Sequence, residues 1–167
     1  MKKIFILTLV LVMTLSLAGC AKKAKSEALL QYMNYDKVQM DILADKMLDS
    51  YNSVVAGNQF NNAVTVKEFK DNTRGLAEDV LAEAKVVAEL IEDEELAEIH
   101  AMYIQYAEGY IELIDMAIAG IEQNSPDIIN KVNTKVNELN QLLEDYYDEL
   151  KAFGKDCDVE VKVDFIY

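Results

Sequence analysis

Tryptophan is absent from this 167-residue chain, and histidine and proline occur once each, as His100 and Pro126. A single imidazole excludes any relay or metal site that needs two within one chain. Bundle-core di-iron chemistry needs a Glu-x-x-His pair from each of two helices, and the residue three before His100 is Ala97. The chain also lacks a phosphate-cradling glycine loop, a Cys-x-x-Cys-His haem attachment and a Gly-x-Ser-x-Gly elbow. These absences leave no catalytic residue, metal ligand or cofactor to assign, and a protein without enzymatic activity is expected. His100 is expected on the flank of a helix.

Basic residues are scarce too. Sixteen Lys and Arg stand against thirty Asp and Glu, for a formal charge of −14. Nucleic-acid affinity comes largely from cations neutralising phosphates, and the only basic cluster is Lys22, Lys23 and Lys25, so nucleic acid is excluded as a partner. The densest acidic run, Glu89, Glu92, Asp93, Glu94, Glu95 and Glu98, matches no calcium-loop spacing and reads as a solvated helix end, with weak cation adsorption the lesser alternative. Of two cysteines, Cys157 lies between Asp156 and Asp158, whose charge disfavours a thiolate; an inert thiol is expected there.

What is present is most distinctive at the start. Lys2 and Lys3 precede an apolar run from Ile4 to Leu17, broken only by Thr8, Thr14 and Ser16, which is the design of an export signal and too short for a membrane span. The sequence Leu17, Ala18, Gly19, Cys20 resembles the lipobox of bacterial lipoproteins. The resemblance implies cleavage before Cys20 and acylation of that cysteine. The mature chain is then anchored by lipid to the cell membrane and faces outward; more than one acyl chain makes such anchoring stable. Residues 1–19 are read as signal and 20–26 as acylated cysteine and basic tether.

The remainder reads as helix. Leu29, Met33, Met40, Leu43, Met47, Tyr51 and Val54 recur at three-four spacing and predict a first helix ending near Gly57. Thr65 and Glu68 have capping-box spacing, with Val64 and Phe69 as the hydrophobic staple of a second helix carrying Leu76, Val80, Ala84, Val87 and Ile91. A five-residue jump to Leu96 predicts a turn near 92–94. The third seam is Leu96, Ile99, Tyr103, Tyr106, Tyr110, Leu113, Ala117 and Ile121. Ser125 as N-cap, Pro126 as first helical residue and Asp127 beside the helix dipole open a fourth helix with Ile128, Val132, Val136, Leu139, Leu143, Tyr146, Leu150 and Phe153, stopped by Gly154.

Four helices of roughly 27 to 30 residues joined by short turns predict an all-α fold: an antiparallel up-down-up-down four-helix bundle over residues 27–154, with a short extended C-terminal tail at 155–167. Continuity of the second and third helices would instead make a three-helix hairpin. In the tail, Val159, Val161 and Val163 alternate with charged residues and are expected to pack on the bundle.

Two stripes bear on function. Tyr103, Tyr106 and Tyr110 share a helical face, first of all a core stripe and alternatively an aromatic ligand surface. Asn130, Asn133, Asn137 and Asn140 form a stripe about 100° from the fourth apolar seam. Two functional readings follow. The first is a membrane-tethered interaction module with an envelope protein as partner. The second is a ligand-binding lipoprotein holding a small molecule, glycan or peptide against Tyr103, Tyr106, Tyr110, Asn133, Asn137 and Asn140.

Overall fold

The computed structural model describes residues 21–56 and 63–162. The signal segment, Cys20, the loop at 57–62 and residues 163–167 lie outside the described residues.

The fold is an all-helical bundle, with no strand among the described residues. Residues 21–31 form α1; a wide turn, Tyr32–Asp36, leads into α2, Val38–Ala56. Helix α3, Ala63–Glu68, passes through a second wide turn, Phe69–Thr73, into α4, Arg74–Ala88; α5 is Glu94–Glu122 and α6 is Pro126–Asp156. Both wide turns are π-helical. In the first, the Lys37 amide reaches back five residues to the Tyr32 carbonyl at 3.1 Å, and in the second the Arg74 amide reaches Phe69. Each inserts an extra residue into the helical period, so the inward face shifts by about one residue. Leu29, Tyr32, Lys37, Met40 and Met47 are therefore the buried residues of the first stretch, while Met33 is only half-buried.

The turn between α4 and α5 is real: Asp93 adopts an extended backbone and its carboxylate accepts the Leu96 amide at 3.0 Å. Helices α4 and α5 are thus separate, and the three-helix hairpin is excluded. Ser125 Oγ accepts the Ile128 amide at 3.4 Å at the head of α6, with Pro126 as the first helical residue, as its spacing predicts.

Elsewhere the structure corrects the sequence reading. Thr65 does not cap a helix, because residues from Ala63 onward are already helical and Thr65 is buried within α3. Gly154 does not stop α6, which runs two residues further; Asp158, at φ 58°, takes the left-handed position instead. Gly154 is needed for another reason. The chain doubles back over it, and a Cβ there would stand 2.6 Å from the Val159 carbonyl oxygen. Val159 and Val161 pack against the core, as expected of the tail. The basic tether is not extended: residues 21–26 are already helix.

Helix α5 supplies more of the core than any other helix and packs against both α4 and α6; α2 lies on α4. Ion pairs tie the start of α1 to its neighbours, with Lys22 on Asp158 at 2.6 Å and Lys25 on Glu95. Lys70 binds Glu122 at 2.5 Å near the other end of α5. No helix among the described residues is long and apolar enough to cross a membrane.

Candidate functional site

The most organised polar group of atoms in the molecule is buried. His100 is 1% exposed, not on a helix flank as its sequence context predicts. Its Nε2 lies 2.7 Å from the Ala84 carbonyl oxygen of α4, and its Nδ1 lies 2.9 Å from the Tyr32 hydroxyl. The Tyr32 hydroxyl in turn lies 2.6 Å from that of Tyr146 on α6.

A carbonyl only accepts, so Nε2 carries the hydrogen. Burial lowers the imidazole pKa, with the nearby Lys37 charge adding to that effect and the bond to Ala84 opposing it. The ring is then neutral and Nδ1 must accept from Tyr32. With its one proton so engaged, Tyr32 accepts from Tyr146. The protons therefore run in one direction, from Tyr146 to Tyr32 to His100 to Ala84, and join α6, the α1–α2 junction, α5 and α4 through two side-chain hydroxyls and one ring.

The π turn makes this possible. It places Tyr32, its first residue, and Lys37, five residues on, on one buried face. The Lys37 ammonium donates to both Asp41 oxygens, at 2.8 and 2.5 Å, and lies 5.9 Å from the centre of the Tyr147 ring. Burial raises the Asp41 carboxyl pKa and Lys37 opposes that rise.

Aromatic rings extend the network along the bundle. His100 stacks on Tyr103 with ring centres 6.3 Å apart, Tyr103 meets Tyr146 edge-on at 5.3 Å, and Tyr106 bridges to Tyr110, which meets Tyr51 edge-on. Burial pushes the phenol pKa of Tyr32, Tyr103, Tyr106, Tyr110 and Tyr146 upward, and that of Tyr147 up to about 12. These phenols stay protonated at neutral pH.

The six residues proposed from sequence as a ligand face are not brought together. Tyr103, Tyr106 and Tyr110 are buried in the core, whereas Asn133, Asn137 and Asn140 are exposed on α6. A ligand surface shared by the two stripes does not form. A modest cleft of about 240 Å³ instead opens beside Tyr32, walled by Ala28, Leu90, Ile91 and Leu96 and rimmed by Gln31, Asp36 and Glu92. Its polar rim is partly self-satisfied, since Gln31 donates to Asp36 at 2.9 Å.

Two further expectations can be placed. Cys157 is buried, its thiol donates to the Gly154 carbonyl at 3.5 Å, and burial raises its pKa. Glu92, Asp93, Glu94, Glu95 and Glu98 line an open acidic depression with Lys25, and among the described residues no group of three or more His, Cys, Asp or Glu has metal-binding geometry.

Sequence reasoning missed Tyr32 as the partner of His100, Tyr146 as the partner of Tyr32, and the buried Lys37 nearby. The one available signal was the five-residue interval from Tyr32 to Lys37, which a strict three-four count discards. Among the described residues, no buried side-chain nitrogen or oxygen lacks a hydrogen-bond partner. The arrangement is chemically closed: its imidazole has both nitrogens engaged and is buried. No protein-family model, no curated protein and no solved structure matches this chain.

Proposed function

We propose that this chain is a membrane-tethered, non-enzymatic interaction module of a bacterial envelope, anchored by lipid on Cys20 and facing outward. The observation that carries the reading is the sequence Leu17, Ala18, Gly19, Cys20, followed at residue 21 by helix that is already part of the folded domain. The four helical stretches are read as an up-down-up-down bundle: short turns join α4 to α5 and α5 to α6, and Ser50 pairs with Thr73 at 2.7 Å where α2 runs beside the α3–α4 stretch.

Closure of the His100 network supports a role in binding over one in chemistry, because a general base must reach a substrate proton. The acidic exterior favours a protein partner bearing basic or neutral surface, and disfavours anionic polymers. Separation of the tyrosine and asparagine stripes removes the ligand face on which a small-molecule reading rested.

The test places a photo-crosslinking residue at Asn137, exposed on α6, in intact cells. Repeated recovery of one envelope protein is the expected result. Recovery of only lipid and bulk protein from this position overturns the interaction reading for that face. Labelling with palmitate, lost on Cys20→Ser, checks the anchor separately.

A further inference from the structure

We infer that the bundle stands end-on to the bilayer, with the starts of α1 and α5 and the end of α6 at the lipid surface and the α5–α6 turn farthest from it. This inference rests on acylation of Cys20 and adds the orientation that the fold then imposes.

An extended six-residue tether would give the domain about 20 Å of slack. There is none, because residue 21 is helical, and a helix advances only about 1.5 Å per residue. Nor is α1 free to hinge. Lys22 is paired with Asp158, Lys25 is paired with Glu95 and lies 5.2 Å from the centre of the Phe153 ring, and Leu29 is fully buried. Tyr32, one turn later, is locked into the hydrogen-bonded chain with His100 and Tyr146. Swinging α1 away would expose Leu29 and break those bonds. The helix that leaves the anchor is thus fixed along the bundle, and α5 spans about 43 Å from the anchored end to the far turn.

The stance rests on this rigid attachment and not on charge, because the acidic residues Glu92, Asp93, Glu94, Glu95 and Glu98 at the start of α5 also face anionic headgroups in it. Lys22 and Lys25 are already engaged by Asp158 and Glu95, so they do not draw a flank of the domain down onto the lipid. The competing pose lays the exposed apolar row Leu30, Tyr35, Val38 and Ile42 on the membrane. That row continues at helical spacing into exposed Asp45 and Asp49, which anionic lipid repels.

The acylated mature protein, purified from membranes and reconstituted into phosphatidylglycerol–phosphatidylethanolamine vesicles containing an acceptor lipid dye, tests the stance. Donor dyes are placed one at a time by Lys155→Cys at the near end and Gln123→Cys at the far turn, both exposed positions, in a Cys157→Ala background with an unchanged thermal melt. Energy transfer to the lipid is expected to be several-fold stronger from position 155 than from 123. Equal transfer from both, in protein that floats with the vesicles, overturns the end-on stance and leaves the anchor intact. Failure to float overturns the anchor, and the stance with it.

Discussion

The two halves of α5 fill the core by different means. From Ile99 to Tyr110 the buried residues include His100, Tyr103, Tyr106 and Tyr110, each ring meeting another at a definite angle and one carrying hydrogen bonds to two other segments. From Leu113 to Ile121 the buried residues are Leu113, Ile114, Ala117, Ile118, Gly120 and Ile121. The second half is held by apolar area and close packing, which have little directional preference. The first half adds direction: its protons can be arranged only one way once Ala84 has claimed the Nε2 hydrogen. One helix thus combines a region that supplies stability with a region that selects which segments meet.

This contrast predicts a graded response to substitution. Ile114→Ala removes three carbons from the aliphatic half and should cost the most, about 2 to 5 kcal/mol in denaturant unfolding, whereas Ile114→Leu should cost less than about 1.5 kcal/mol. Tyr32→Phe should come next, at about 1 to 3 kcal/mol, because it leaves the His100 Nδ1 lone pair buried without a donor. Tyr146→Phe should cost only about 0.5 to 1.5 kcal/mol, since Tyr32 still donates to His100 and loses one incoming bond. Equal costs for the two tyrosine variants would show that the protons do not run in the stated direction. Asn137→Ala, on the exposed face of α6, should change stability by less than about 0.5 kcal/mol.

Much of the helical layout was legible because it rests on local chemistry. Ser125 and Pro126 start a helix through their own side chains, and the jump from Ile91 to Leu96 records a turn that Asp93 then caps. The aromatic half of the core was not legible in the same way. His100 is buried by residues 16, 68 and, through Tyr32, 46 positions away along the chain, and nothing near it in sequence announces them. The π turn at Tyr32–Asp36 changes the period within a helix, so a single 3.6-residue count placed Met33 inward instead of Tyr32. Thr65 and Glu68 illustrate the opposite error: the spacing of a capping box occurs, but helix already runs through it. The tyrosine and asparagine stripes were each read on the right helix. Their separation depends on how α5 and α6 turn toward one another, which a one-dimensional pattern does not contain.

Acidity bears on both halves unequally. Burial holds the His100 pKa below its ordinary value of 6.5, so the unfolded chain takes up that proton first and the network loses stability as pH falls through and below 6.5. Asp41, whose carboxyl pKa burial raises, works in the other direction at lower pH, where its protonation is favoured in the folded protein. None of the buried residues of the aliphatic half titrates.

The decisive measurement is the ¹⁵N chemical shifts of the His100 imidazole in the folded protein as pH is lowered from 7.5 to 5. The closed network predicts a neutral ring with hydrogen on Nε2 and a titration midpoint below 6.5. A ring with hydrogen on Nδ1, or one that titrates freely at 6.5, would mean that His100 is open to solvent and available as a base, contradicting the network and the non-enzymatic reading built on it.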